Sequence, residues 1–203
     1  MMRIITGKAR GIRLATLEGE NTRPTSERAK EAVFSMLQFE LEGRRVLDLF
    51  AGSGQMGLEA VSRGAESAVL VDHAKAAISV IKQNIEKTKL EGLKAVCADS
   101  LEFLRAEGRK RNESGKFDIV FLDPPYSEKI IPAALELLLS GRLIKRTSII
   151  VCESASNEDV FGKNHELANR FDIIRSTKYG VACVNILTPK RNEEDENDVK
   201  ENG

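Results

Sequence analysis

The stretch VLDLFAGSGQMGLEA, residues 46–60, decides the fold. It begins as a short apolar strand, turns at a Gly-Ser-Gly triplet and continues with the apolar periodicity of a helix. Gly52, Gly54 and Gly57 fit the G-x-G-x-x-G pattern, in which the backbone approaches a ligand closely at the start of a helix. Asp72 follows Gly52 by 20 residues, where such folds place an acid that binds a ribose. This unit predicts a cofactor site at the end of the first strand.

The same strand–helix unit recurs along the chain, which predicts a parallel sheet covered on both faces. The expected strands are the apolar runs 46–50, 67–71, 93–98, 117–122, 148–152, 171–176 and 181–187. The expected helices lie at about 25–38, 55–63, 74–90, 100–112 and 128–141. The last two strands are joined through Tyr179-Gly180, a link too short for a helical crossover, so they should pair as an antiparallel hairpin. The predicted fold is therefore α/β, with a doubly wound, mostly parallel seven-stranded sheet and a reversed last strand.

Charge is distributed unevenly along the chain. Residues 1–30 carry seven Lys and Arg against three acids, whereas residues 190–203 carry six acids against three bases. Residues 3–14 alternate bases with apolar and small residues, which predicts a short exposed hairpin. This hairpin is either a charged edge strand that resists aggregation or an arm that contacts phosphates. We expect one domain over residues 1–189, including a basic arm at 1–24, and a disordered acidic tail at 190–203.

Composition excludes several classes of protein. The 31 Lys and Arg residues balance 31 Asp and Glu residues, so bulk charge alone does not hold the protein to nucleic acid. Three cysteines and two histidines indicate neither a disulfide framework nor a structural zinc site. The sequence has neither an apolar run of roughly 18 residues nor a signal peptide. We therefore expect a cytoplasmic protein with reduced thiols, no membrane span and no metal.

Four acids occupy equivalent places in successive strand–helix units. Each lies at or near the end of an apolar run, at intervals of 24, 27 and 24 residues: Asp48, Asp72, Asp99 and Asp123. Because ligands of open α/β sheets bind outside the carboxyl ends of the strands, all four should line one crevice. Any one of them alone would be an ordinary helix cap or turn residue. Asp99, with Glu102 three residues later, also has the spacing of a capping box.

The acids favour S-adenosylmethionine over a dinucleotide as the cofactor. A dinucleotide would place its pyrophosphate on the glycine turn, where Asp48 would repel it. S-adenosylmethionine carries a cationic sulfonium and a cationic ammonium group, which carboxylates stabilise. Its ribose hydroxyls suit Asp72, and its adenine amino group suits Asp99, with Ser100 beside it. A NAD-dependent oxidoreductase is a weaker alternative, since the sequence offers no hydride-site His or Lys–Tyr pair. A glycine turn that binds no ligand is the weakest of the three.

The fourth strand ends in Asp123-Pro124-Pro125-Tyr126. The two prolines fix the backbone and remove two N–H donors, which leaves the nearby carbonyls as acceptors. With the Asp123 carboxylate and the aromatic ring, they can hold a planar base that carries an exocyclic amino group. The alternative is a rigid loop with a packing tyrosine. The position of the tetrapeptide, in the same series of units as the glycine turn, favours the base site.

Residues 46–60 resemble motif I of class I S-adenosylmethionine-dependent methyltransferases, whose fold is Rossmann-like. DPPY at 123–126 resembles the motif of enzymes that methylate adenine N6, guanine N2 or glutamine. Together with RIITGKARGIRL (3–14), RPTSERAKEAVFSML (23–37) and KYGVACVNIL (178–187), these motifs are similar to the RsmD family of 16S rRNA guanine-N2 methyltransferases. The resemblance runs from Arg3 to about Pro189, and Gln55-Met56 departs from it by replacing the smaller residues common in that turn.

The resemblance implies a set of site residues. The cofactor would be S-adenosyl-L-methionine, and the substrate a guanine of 16S rRNA in the small ribosomal subunit or its assembly intermediate. The residues that match the family's cofactor site are Arg23, Pro24, Thr25, Asp48, Ala51, Gly52, Gly54, Asp72, Asp99 and Ser100. The residues that match its target-base site are Asp123, Pro124 and Tyr126. We expect the protein to act as a monomer.

The length of the segment that follows the DPPY motif indicates how the target is recognised. DNA amino-methyltransferases usually carry a target-recognition domain, whereas the segment from Tyr126 to Ser148 has room for one helix. We therefore expect a large, preshaped RNA partner, contacted by the basic arm through Arg3, Lys8, Arg10 and Arg13. Two alternatives stay open. One is the same chemistry on adenine N6 in DNA or RNA or on protein glutamine, and the other is a noncatalytic RNA-binding factor in ribosome assembly.

Overall fold

A computed structural model describes residues 2–17, 24–110, 115–125, 128–156 and 158–190, the side chains of residues 24–27 excepted. The strands of this described part are Arg45–Asp48 (β1), Ser67–Asp72 (β2), Leu93–Cys97 (β3), Phe117–Leu122 (β4), Ile144–Ala155 (β5), Phe171–Tyr179 (β6) and Ala182–Pro189 (β7). Its helices are Pro24–Met36 (α1), Gln55–Ser62 (α2), Lys75–Thr88 (α3), Ser100–Arg109 (α4), Ile131–Ser140 (α5) and His165–Ala168 (α6).

The described strands form a seven-stranded sheet in the order β3-β2-β1-β4-β5-β7-β6. Every neighbouring pair from β3 to β5 is parallel, and β7 is antiparallel to both β5 and β6. The predicted doubly wound sheet with one reversed strand is therefore confirmed. Residues of β4 are buried throughout, as expected for a central strand covered by helices on both faces.

Two hydrophobic cores, one on each face of the sheet, hold the layers together. Helices α1, α2 and α3 cover the first face, around residues such as Phe34, Leu58 and Ile81. Helices α4, α5 and α6 cover the second face, around residues such as Leu104 and Leu135. This three-layer α/β/α arrangement leaves the carboxyl ends of the parallel strands along one edge of the molecule.

Two local differences from the sequence prediction concern strand β5 and helix α6. Strand β5 begins at Ile144 rather than at Ser148, and Ile144 pairs with Phe117 before the register shifts. The intervening residues 145–147 are exposed, so they lack the apolar pattern from which the other strands were predicted. Helix α6 spans four residues, too few to show a helical period.

The basic N-terminal segment forms the predicted hairpin, defined here as residues 2–15. Arg3 and Arg13 form an antiparallel bridge, and the Ile4 N–H donates to the Ile12 carbonyl at 3.0 Å. The hairpin lies outside the seven-stranded sheet, so it is not an edge strand of that sheet. Its buried apolar side chains belong to the core on the face of α1–α3: Met2, Ile4, Ala9 and Leu14. Its four basic side chains are all exposed: Arg3, Lys8, Arg10 and Arg13.

A buried glutamate on α2 fastens the hairpin to the domain. Glu59 is 1% exposed and accepts from the Ile5 N–H at 2.7 Å and from the Thr6 N–H at 3.0 Å. Arg63, one helical turn later, donates from Nε to the same carboxylate at 2.6 Å. Glu59 therefore has its charge balanced and both oxygens bonded, the condition under which a buried carboxylate stabilises a fold.

Replacing Glu59 with alanine is expected to lower the free energy of unfolding by about 2–3 kcal/mol, because two backbone donors and Arg63 lose a charged acceptor. Limited trypsin digestion should then cleave at the hairpin arginines well before the domain. Urea denaturation gives the stability, and the exposed Glu66→Ala serves as the control. A hairpin as protease-resistant in Glu59→Ala as in the wild type would contradict this account of its attachment.

Candidate active site

A crevice opens where β1 and β4 separate. The Leu49 N–H still donates to the Phe121 carbonyl on β4 at 3.2 Å, but the Ala51 N–H donates to the Val71 carbonyl on β2 at 2.9 Å. The backbone therefore turns away from β4 and toward β2 directly after β1. This is the point at which the strand order reverses, where open α/β sheets bind their ligands.

The glycine loop, residues 51–54, forms one wall of this crevice. Gly54 has a φ of +82°, and a Cβ there would lie 2.8 Å from Leu70 Cδ2. Gly57 lies in the first turn of α2, and a Cβ there would lie 2.9 Å from Leu70 Cγ, which is also too close. Packing against β2 thus requires the second and third glycines of the motif. The two glycines therefore let the loop and the start of α2 pack directly on Leu70 of β2.

Asp48 lies buried against the first turn of α2. It is 3% exposed, and its Oδ2 accepts from the Gly57 N–H at 3.0 Å. Burial raises the pKa of Asp48 to about 6, although the Gly57 bond and the charge of Lys30 lower it, and the charge of Asp72 raises it further. Asp48 is therefore less open to the crevice than its place in the series of four acids predicts.

Asp72 connects the glycine loop to the end of β2. Its Oδ2 accepts from the Gly52 N–H at 2.9 Å and its Oδ1 from the Ala74 N–H at 2.8 Å, while its side chain is 13% exposed. Each carboxylate oxygen can accept two hydrogen bonds. Asp72 can therefore hold the loop and also accept from the hydroxyls of a ribose.

Asp99 and Ser100 begin helix α4. Asp99 is the N-cap residue, and its Oδ1 accepts from the Glu102 N–H at 3.0 Å, as the capping-box spacing predicts. Asp99 is exposed, whereas Ser100 is 7% exposed. A carboxylate that caps with one oxygen retains a second oxygen that can accept from an amino group.

The segment after β4 forms the opposite wall of the crevice. Asp123 is half-buried and Pro124 is buried, directly after the last strand residue, Leu122. Pro124 and Pro125 line a small hollow between the start of α5 and the loop after β5. The hollow therefore adjoins the proline segment that follows Asp123.

Four of the predicted site residues cannot be placed completely. Tyr126 and Arg23 lie outside the described residues, so their assignments stay predictions. Pro24 and Thr25 are the first two residues of α1, but their side chains are not among those described. The predicted acidic tail, from residue 191 on, also lies outside the described part.

Sequence reasoning missed a lysine beside the glycine loop. Lys30 of α1 donates from Nζ to Gln55 Oε1 at 3.2 Å, and its charge acts on Asp48. Gln55 is the first residue of α2, the position where the sequence departs from the smaller residues of the resembling family. A single lysine in an amphipathic helix carries no signal in the sequence, since its partners come from another element.

A second missed residue, Asn84 of α3, joins the hairpin to the glycine loop. Its Nδ2 donates to the Ala15 carbonyl at 3.0 Å and to the Ser53 carbonyl at 2.9 Å, and its Oδ1 accepts from the Ala15 N–H at 2.8 Å. Ser53 also donates from Oγ to the sulfur of Met2 at 3.1 Å. The basic hairpin is therefore built directly onto the back of the crevice.

Among the described residues, no helix is long and apolar enough to cross a membrane. The same part of the chain contains no group of three or more His, Cys, Asp or Glu side chains that could hold a metal ion.

The strand order, the glycine loop at the β1 switch point and the acids at successive strand ends define a class I methyltransferase fold. The sequence matches the family described as Conserved hypothetical protein 95 over residues 2–188. The chain belongs to this family, the RsmD family of methyltransferases.

Particular relatives agree with this assignment. YlbH of Bacillus subtilis is 39% identical over 152 residues, which are 75% of this chain and 82% of YlbH. Ribosomal RNA small subunit methyltransferase D of Escherichia coli K12 is 32% identical over 153 residues, which are 75% of this chain and 74% of that protein. The solved structure of Escherichia coli yhhF superposes with a TM-score of 0.79 at 26% identity, and covers 94% of this chain and 99% of that one.

Proposed function

We propose that this protein transfers a methyl group from S-adenosylmethionine to the exocyclic N2 amine of a guanine in 16S rRNA. Membership of the RsmD family supports the reaction class and the rRNA substrate. The observation that carries the proposal is the placement of Asp123 and Pro124 across the crevice from the glycine loop and Asp72. We expect the enzyme to act as a monomer in the cytoplasm, on the small subunit or its assembly intermediate.

The donors and acceptors of the glycine-loop wall fit S-adenosylmethionine. The negative charge of Asp48 suits the cationic end of that molecule and disfavours a pyrophosphate at the same place. Asp72 would accept from the ribose hydroxyls, and Asp99, with Ser100 beside it, would bind the adenine amino group. When bound, S-adenosylmethionine supplies an electrophilic methyl group on its sulfonium.

Asp123 and the Pro124 carbonyl would hold the target amine. The N2 lone pair of guanine is delocalised into the ring, so the amine is a poor nucleophile. Two hydrogen bonds from its N–H groups to Asp123 and Pro124 would align it with the methyl group. The same acceptors would stabilise the positive charge that develops on the nitrogen as the bond forms. Tyr126 would stack on the extruded base.

The proposal is tested by methyl transfer from labelled S-adenosylmethionine to undermethylated small ribosomal subunits, with nucleoside mass spectrometry of the product. Naked 16S rRNA and duplex DNA run in parallel. N2-methylguanosine in the subunit sample is the expected result. N6-methyladenosine would overturn the target, and cofactor binding without transfer to any of the substrates would favour a binding role in assembly.

The exposed hairpin bases are expected to contact phosphates of the RNA. Replacing all four with glutamine should weaken binding to the subunit and reduce the slope of log affinity against log salt by about 3. The changed residues are Arg3, Lys8, Arg10 and Arg13. Fluorescence anisotropy with labelled subunits at several salt concentrations measures the slope.

A matched control removes the same charge from the opposite face, which α4–α6 cover, by glutamine at four exposed bases: Arg105, Arg142, Lys163 and Arg170. This variant should keep the wild-type salt slope. An unchanged slope in the hairpin variant would remove the hairpin from the RNA interface.

A further inference from the structure

Strand β5 ends beside the target-amine wall of the crevice. Leu122 of β4 lies opposite Cys152 of β5, and Asp123 and Glu153 are the residues that follow this last pair. Neighbouring strands are about 4.8 Å apart, so the two residues continue from adjacent backbone positions. The register therefore places a second carboxylate next to the group that we assign to the target amine.

Alternation along the strands puts both carboxylates on the same face of the sheet. Phe121 and Val151, two residues before Asp123 and Glu153, both belong to the core on the face of α1–α3. Glu153 also lies opposite Val184 of β7, a residue of the same core. Glu153 is half-buried, so its side chain is more restricted by its neighbours in the sheet than a fully exposed side chain would be.

Glu153 and Pro124 line the same small hollow at the edge of the sheet. Two further acids of the lining, Glu158 and Asp159, come after the end of β5 at Ala155. Of these three acids, Glu153 is the one that lies within β5, directly after the residue that pairs with Leu122 of β4.

We propose that Glu153 is a specificity-determining residue, which accepts a hydrogen bond from N1–H of the target guanine while Asp123 and Pro124 hold N2. This inference rests on the proposed function. Guanine presents two adjacent donors on this edge, the N2 amine and N1–H. Adenine presents an amine beside N1, an acceptor, which a carboxylate repels. Two neighbouring carboxylates therefore match guanine and reject adenine.

The experiment compares guanine with 2-aminopurine, which keeps the reacting amine but has an acceptor at N1. The nucleotide that the wild-type enzyme methylates is located by mass spectrometry. Small subunits are then reconstituted with guanine or 2-aminopurine at that position. The wild type should methylate guanine roughly 100-fold faster or more, because a site built around a donor rejects the analogue that lacks it.

Glu153→Gln should lose most of this preference, since its amide can donate to N1 of 2-aminopurine. We expect the rate ratio to fall at least tenfold, through a slower reaction of guanine and an equal or faster reaction of 2-aminopurine. Glu136→Gln, an exposed change on α5, is the matched control and should keep the wild-type ratio. Cofactor binding measured by calorimetry confirms that each variant is folded. Glu153→Asp is a second variant, which keeps the negative charge but holds it farther from the base because its side chain is one methylene shorter.

The outcomes separate this inference from the function on which it rests. An unchanged guanine preference in both Glu153 variants, with N2-methylguanosine formed by the wild type, would overturn the role of Glu153 alone. A wild-type enzyme that forms no N2-methylguanosine would overturn the proposed function, and the role of Glu153 with it.

Discussion

Replacing Asp123 with alanine is expected to abolish methyl transfer to the small ribosomal subunit while leaving the affinity for S-adenosylmethionine largely intact. Loss of one group that stabilises developing charge typically costs roughly 100–1,000-fold in rate. Here the loss should be at the upper end, because Asp123 would also hold the amine in line with the methyl group. In the proposed site the cofactor binds to the opposite wall, where Asp72 accepts from the Gly52 N–H of the glycine loop.

Single-turnover kinetics with saturating subunits measure the transfer step, and calorimetry measures the cofactor affinity. Asp172→Ala is a suitable control, since Asp172 is exposed on the edge strand β6, far along the sheet from the crevice. A fully active Asp123→Ala enzyme would remove the segment after β4 from the reaction. An inactive variant that also fails to bind cofactor would show that Asp123 shapes the other wall instead.

Replacing Asp48 with asparagine is expected to have opposite effects on stability and on cofactor affinity. The folded-state pKa of Asp48, about 6, lies above its ordinary value of 3.8 because the carboxyl is buried. The neutral form is therefore favoured by folding. The neutral carboxyl contributes fully to the free energy of unfolding below about pH 4, and this contribution is lost as the pH rises through 6. The loss amounts to about 3 kcal/mol at pH 8.

Asparagine is neutral at every pH and its Oδ1 can still accept from the Gly57 N–H. Without cofactor, Asp48→Asn should therefore unfold at a temperature about 5–10 °C above the wild type at pH 8, with little difference near pH 4. Affinity for S-adenosylmethionine should fall roughly 10–100-fold, because the cationic end of the cofactor loses a charged partner. Thermal unfolding at both pH values and calorimetry at pH 8 measure the two effects.

Because Asp48 ionises near neutral pH, the affinity of the wild-type protein for the cofactor should depend on pH. The pKa of the Asp48 carboxyl is about 6, so this group ionises as the pH rises from 5 to 7. Cofactor binding should strengthen over the same interval, because the carboxylate attracts the cationic end of the cofactor. Asp48→Asn should show no such rise. A wild-type affinity that is independent of pH over this interval would contradict the pairing of Asp48 with the cationic end of the cofactor.

Local sequence patterns were sufficient to predict most of the fold. Apolar runs predicted the central strands because buried parallel strands are apolar along their whole length, as β4 is. The link at Tyr179-Gly180 predicted the reversed hairpin because two residues cannot carry a crossover. The glycine motif and the prolines of the β4 segment were visible in the sequence because their backbone requirements are local.

Tertiary structure decided the contacts that join distant segments. Lys30 reaches Gln55, and Asn84 reaches Ala15 and Ser53, through pairings that no local pattern encodes. The burial of Asp48, and hence its raised pKa, depends on how α2 packs over the end of β1.

The sequence by itself determined the order of strands and helices along the chain, the position of the glycine loop and the acid at the end of β4. Each of these depends only on neighbouring residues. The register of β4 against β5 joins residues 30 positions apart, and that pairing alone sets Glu153 beside Asp123. A strand that slips by one residue moves every side chain to the other face. The packing of the whole sheet therefore selects which acids meet at the crevice.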